Sequence, residues 1–143
     1  MQDVRPQGNA VPSDAIGRSA FLGKWRIVEM ELWDRDYIDL EGPGHVIFER
    51  GRHGRFQFGA VEGDLDYRAS VSPEGQRIEF TWEGRNDADP ACGRGWATLK
   101  EGELYGYLYF HRGDESWFRA TEWSRSNNTV VPDARKSGVR RSR

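Results

Sequence analysis

Between Phe21 and Trp123, large apolar side chains recur at every second position in eight short segments, and turn-forming residues separate the segments at short intervals. The segments are 22–32, 45–50, 54–61, 63–71, 77–83, 95–101, 103–112 and 115–123. Period-two alternation sends successive side chains to opposite faces of a strand, so each segment is predicted to have one dry face and one wet face. Connections such as Gly51-Arg52-His53-Gly54, Glu62-Gly63-Asp64, Pro73-Glu74-Gly75, Glu101-Gly102-Glu103 and Arg112-Gly113-Asp114 suit hairpins and are too short for helical crossovers. Each strand should therefore pair with the one before it, and eight strands can close on themselves and leave no exposed edge. The expected fold is all-β: an eight-stranded antiparallel up-and-down barrel, in one domain over residues 20–123.

Two connections are longer. WDRDYIDLEGPG (33–44) and GRNDADPACGRG (84–95) are predicted loops at the barrel's mouth. Residues 1–19 read as a flexible N-terminal arm with a short helical turn, Ser13 its N-cap and Gly17 its stop. Residues 124–143 read as a disordered tail with six basic residues against Asp133 alone, a net of +5; the overall charge of −2 then leaves −7 on residues 1–123. An acidic body disfavours nucleic acid and anionic membranes as its partners, and leaves only the tail to attract polyanions. One cysteine, Cys92, excludes an intramolecular disulfide, and the N-terminus lacks the basic-then-apolar order of a secretory signal. Without an apolar run near the roughly 20 residues that span a bilayer, no membrane is expected as a partner and a cytoplasmic protein is the expectation.

The triplet Gly23-Lys24-Trp25 heads the first segment, and Arg119 lies in the last, SWFRATEW. With the preceding helical turn and the eight-stranded meander, this layout resembles the lipocalin-like barrels of the calycin superfamily. The resemblance implies that Trp25 lies at the closed end of the barrel, that Gly23 lets the backbone approach closely, and that Arg119 packs across the indole to close the floor. An Arg over an indole gains about 0.5–2 kcal/mol of cation–π attraction, which makes the arrangement sensible on physical grounds alone.

Trp, Phe and Tyr make up 13% of the chain, enough to decide what a barrel can hold. Trp25, Phe48, Phe56, Phe58, Leu65, Tyr67, Ile78, Phe80, Trp82, Trp96, Leu108 and Trp117 are the expected inward residues. They leave three alternatives open: a roomy lipid pocket, a small cavity near the loops, or a filled interior. For a small apolar or aromatic ligand, Tyr67, Trp82, Trp96, Trp117 and Arg119 are the candidate contacts. Tyr67 and Arg119 would supply the polar handles, unless Arg119 is committed to Trp25.

The remaining clusters carry less. DRDYID (34–39) lacks the spacing of a calcium loop, and Asp87, Asp89 and Cys92 form no recognisable ligand set. His45, His53 and His111 have no metal-binding spacing, and Asp64 and Asp66 should face water. No nucleophile–base signature occurs, so no catalytic residue, metal or cofactor is assigned. YGYLYF in the seventh segment has Tyr105, Tyr107 and Tyr109 on one side and Leu104, Leu108 and Phe110 on the other. A strand apolar on both sides calls for a cover, and a homo-oligomer through the tyrosine face is preferred to nucleic-acid stacking. The sequence thus points to a small-ligand-binding or protein-interaction module. The alternative is a small cofactor-free enzyme at the barrel mouth, using Tyr67, Arg119 or His111.

Overall fold

A computed structural model describes residues 20–73 and 75–123. Eight antiparallel strands follow one another around a closed barrel: β1 (Gly23–Met30), β2 (His45–Glu49), β3 (His53–Phe58), β4 (Val61–Ser72), β5 (Gly75–Asn86), β6 (Asp89–Lys100), β7 (Glu103–Phe110) and β8 (Glu115–Glu122). Strand β8 returns to β1, with Trp25 opposite Glu122 and Arg26 opposite Thr121. The ladder has no free edge. The predicted meander is the observed topology, and a single short helix, α1 (Arg35–Ile38), interrupts the β1–β2 connection. No helix among the described residues is long and apolar enough to cross a membrane.

The two ends are closed differently. At one end the described chain opens on helical residues Ala20 and Phe21; the predicted capping pair Ser13 and Gly17 lies outside the described residues. Phe21 is fully buried, accepts a 2.9 Å hydrogen bond from Trp25 Nε1 through its carbonyl, and meets Phe48 edge-on. Phe48 in turn packs edge-on against Tyr67, whose hydroxyl donates to the Glu49 carbonyl. At the other end, residues 31–44 fold over the barrel as a lid. Asp34 caps α1 by accepting from Tyr37 N, Ile38 is fully buried, and Trp33 packs 4.9 Å from Phe58 and 6.1 Å from Phe110. Asp39 holds the lid down: it accepts from Arg26 Nη2 and from Gly44 N, both at 2.9 Å.

Glycine explains where the predicted boundaries fail. The turn expected at Glu62-Gly63-Asp64 lies instead at Gly59-Ala60, where Gly59 has φ +56 and a side chain would run into the Tyr37 ring. The long loop expected over 84–95 is paired strand, with Gly84 opposite Ala91, Arg85 opposite Pro90 and Asn86 opposite Asp89. A two-residue turn joins them, with Asp87 at φ 59. Gly63, Gly93 and Gly95 are not punctuation but inward-facing holes. A Cβ on Gly63 would meet Trp82 at 2.7 Å and Phe56 at 2.9 Å, one on Gly93 would meet Trp82 Nε1 at 2.8 Å, and those on Gly95 and Gly106 would strike Phe80 and Phe118. Large rings from one strand are seated on bare backbone of the next, which is how close-packed interiors interdigitate.

The interior is consequently full and uneven. Strands β2 to β5 send in Val46, Phe48, Phe56, Phe58, Val61, Leu65, Tyr67, Ile78, Phe80 and Trp82, all buried. The inward positions of β6 and β8 are mostly small: Gly93, Gly95, Ala97, Ser116 and Ala120, with Leu99 and Phe118 the larger exceptions. Phe56 and Trp82 meet edge to face at 5.0 Å, and Trp82 and Phe110 at 5.2 Å, contacts worth about 0.5–1.5 kcal/mol each beyond the area they bury.

Candidate functional site

The small inward residues of β6 and β8 have a direct consequence for the other face. Strand alternation makes Trp96 the outward neighbour of Gly95 and Ala97, and Trp117 and Arg119 the outward neighbours of Ser116, Phe118 and Ala120. This corrects the expectation that Trp96, Trp117 and Arg119 point inward: Trp117 is 39% exposed, and Arg119 forms ion pairs at 3.2 Å with Glu29 and with Glu103. The Arg119–Trp25 closure is also corrected. Arg119 pairs with Glu29 on β1, whereas Trp25 pairs with Glu122, and the two side chains occupy opposite faces of the wall. Trp25 is buried at the barrel end as expected, but Phe21 covers it where a guanidinium was predicted. Gly23 has φ +119, a conformation that favours glycine, and no atom lies close enough to require the lack of a side chain.

Of the five candidate ligand contacts, then, Tyr67 and Trp82 are packed inside and Trp96, Trp117 and Arg119 stand outside. Trp82 is committed through Nε1 to the Tyr109 carbonyl at 3.2 Å. The three residues considered for a catalytic mouth are also separated. Tyr67 lies at the Phe21 end, His111 in the β7–β8 turn at the lid end, and Arg119 on the outer wall.

What the structure does bring together is the outer wall of β6, β7 and β8. Trp96, Tyr107 and Trp117 stand directly opposite one another across the three strands. Rows on either side place Arg94 opposite Tyr109 opposite Glu115, and Thr98 opposite Tyr105 opposite Arg119. Trp117 and Tyr105 are among the most exposed large apolar side chains of the described residues, at 39% and 37%. The tyrosine face of β7 expected from YGYLYF is thus observed, and the outward tryptophans of β6 and β8 widen it into a patch. Parity was the signal that could have found them: choosing Gly95 and Ala97 as the inward set of β6, and Ser116, Phe118 and Ala120 as that of β8, puts both tryptophans outside.

Three rings of this wall, Trp96, Tyr107 and Tyr109, pack against one another in a column. Arg77 covers Trp96 at 4.3 Å, Trp96 stacks with Tyr107 at 6.1 Å and 26°, Tyr107 meets Tyr109 at 4.9 Å, and Arg94 lies 4.9 Å from the Tyr109 ring centre. Tyr105 and Trp117, the two more exposed aromatics of the wall, stand outside this column. The hydrogen bond that Tyr105 donates to Glu103 raises its phenol pKa, while desolvation, with Glu115 nearby, raises that of Tyr107, so both stay protonated well into alkaline solution. Burial works to discharge Arg119, but the hydrogen bonds it donates to Glu103 and Glu29 outweigh it and leave its pKa above the ordinary value.

Next to this patch, the wall of β4 to β7 curves into a concavity of about 780 Å³ walled by Asp64, Asp66, Thr81, Glu83, Arg94 and Tyr109. Asp64 and Glu83 face each other across β4 and β5, a like-charged pair on the wet side. Among the described residues, no group of three His, Cys, Asp or Glu side chains is placed to hold a metal ion. No protein-family model, no curated protein and no solved structure matches this chain. The class defined by fold and site is a closed eight-stranded barrel with a packed interior and an aromatic outer wall.

Proposed function

We propose that the protein is a lipocalin-like binding module whose working surface is the outer wall of β6 to β8 and whose partner there is a protein. The observation that carries this reading is the cross-strand row Trp96–Tyr107–Trp117, which leaves Trp117 exposed to solvent while the interior positions are filled. Tryptophan and tyrosine in the open are costly unless something covers them, and these residue types with Arg are the ones that dominate protein interfaces. The acidic body, −7 over residues 1–123, disfavours phosphates. The lipocalin-like assignment is supported by the order of the closed meander and by Gly23-Lys24-Trp25 at its start, with Trp25 buried at the closed end.

Side-chain oxidation footprinting tests the reading. Full-length protein in an extract of its own cells should lose reactivity at Trp96, Tyr105, Tyr107 and Trp117 relative to the same protein diluted in buffer. Unchanged reactivity there, with protection at the lid residues Trp33 and Tyr37 instead, would move the binding surface to the barrel mouth and overturn the reading.

A further inference from the structure

Charges left over on the wall identify the partner more closely. Arg94 and Glu115 flank Tyr109 in one cross-strand row, one on β6 and the other on β8. Neither has an ion-pair partner among the described residues, though Tyr107 hydrogen-bonds Glu115 and Arg94 lies over the Tyr109 ring; next to them, Arg119 pairs with Glu29 and Glu103, and Arg77 with Glu79. A cation on one side of β7 and an anion on the other make the row complementary to its own image.

We propose that the wall docks a second copy of this chain about a two-fold axis running along β7, an inference that rests on the wall being the binding surface. That operation exchanges β6 and β8 and keeps each row in place. Arg94 then faces the partner's Glu115, Trp96 faces the partner's Trp117, and Tyr105, Tyr107 and Tyr109 lie on the axis and meet their own images. An isologous contact needs just such self-complementarity. Strands of an eight-stranded barrel turn by about 45° from one to the next, so β5 and β1 face roughly sideways and the carboxylates that end the Trp96 row, Glu79 and Glu31, are not forced together. A two-fold across the strands would instead set Glu115 against Arg119, whose guanidinium already serves two carboxylates. The leftover charges favour the axis along β7.

The size of the contact sets its strength. Three strands about 4.8 Å apart and three rows about 7 Å apart, with their side chains, cover roughly 400 Å². This is about half of what a stable partner surface buries, so a weak and reversible dimer is expected, with a Kd on the order of tens of micromolar.

Sedimentation of the full-length chain from about 1 to 500 µM should show a monomer–dimer equilibrium. Arg94→Glu alone and Glu115→Arg alone should each weaken it about tenfold or more by facing like charges, with melting temperatures close to that of the parent. Mixing the two single variants should restore the dimer, because each then presents to the other the charge it lacks; the double variant Arg94→Glu/Glu115→Arg should self-associate again. A dimer insensitive to Arg94→Glu would overturn the axis along β7. A chain that stays monomeric throughout would overturn self-association. If such a monomer also showed protection of the wall in extract, the wall would remain a binding surface for another protein; absence of both effects would remove the reading itself.

Discussion

Replacing Gly63 by Ala adds one methyl group where a Cβ would stand 2.7 Å from Trp82 Cε3 and 2.9 Å from Phe56 Cε1. Comfortable carbon contacts are about 3.5–4.0 Å, so both rings have to retreat by close to 1 Å. Trp82 has nowhere simple to go: its Nε1 is bonded to the Tyr109 carbonyl, and it packs edge-on against Phe110. Overpacking of this kind costs about 1–3 kcal/mol. The reduced freedom of the unfolded chain returns about 0.4–1 kcal/mol when Gly becomes Ala at an extended position. The net expectation is a loss of about 0–2.6 kcal/mol, centred near 1.3, read in urea as a lower midpoint with an unchanged slope. Trp82→Leu opens space beside the same spot, so the double variant Gly63→Ala/Trp82→Leu should lose less than the two single losses added together, by about 1 kcal/mol. A Gly63→Ala midpoint above that of the parent would show slack in the barrel and refute a filled interior.

Four further outcomes follow from the same geometry. Trp25→Ala should cost about 3–5 kcal/mol as a core truncation, whereas Arg119→Ala, on a partly exposed wall, should cost no more than about 1 kcal/mol; the two should add in a double variant by chemical denaturation, and strong coupling would restore the guanidinium-on-indole closure. Asp39→Ala strands the Arg26 guanidinium, only 8% exposed, and frees the Gly44 amide; a loss of about 3 kcal/mol with a change in Trp33 emission is expected, and a loss below about 1 kcal/mol would show that the ion pair does not hold the lid. Burial, chiefly, lowers the His45 pKa from its ordinary 6.5, with Lys24, Arg55 and Arg26 adding to the effect and the Pro43 carbonyl opposing it. The unfolded chain therefore binds a proton at His45 before the folded one does: stability should be level in this respect above about pH 6.5, fall as pH drops below it, and level off beneath the lower folded pKa. His45→Gln should flatten that part of the thermal-melt profile. Glu103→Gln should bring down the ionisation of Tyr105 in an ultraviolet titration while leaving that of Tyr107, which leans on burial and Glu115, nearly in place.

The barrel was legible because alternation survives in most segments, β1 with its irregularity between Ile27 and Glu29 excepted, and because short hairpin connections permit hardly any topology except a meander. Glycine was the misleading residue. Gly63, Gly84, Gly93 and Gly95 read as turn and loop punctuation, yet they lie in paired strands, and three of them make room for Trp82, Phe56 and Phe80. Nothing local distinguishes a glycine that turns the chain from one that yields space to a neighbouring strand, since the neighbours lie seven to nineteen residues away, Phe56 and Trp82 from Gly63. Parity in the last strand failed for a related reason. SWFRATEW offers two alternating sets, and the larger one, Trp117 with Arg119, looked like the interior; β2 to β5 had already filled that space, so the smaller set of Ser116, Phe118 and Ala120 faces in. The tyrosines of β7 were legible as an apolar outer face. Their union with Trp96 and Trp117 required the register of three strands, which no single segment encodes.

Titration of a fluorescent long-chain fatty-acid analogue into the parent protein and into Trp82→Ala tests most directly whether the interior is packed and binding belongs to the outside. The expected result is no saturable site in the parent and a new one in Trp82→Ala, where removal of a buried indole opens a void. Saturable one-to-one binding by the parent, with quenching of the interior tryptophans, would contradict the account.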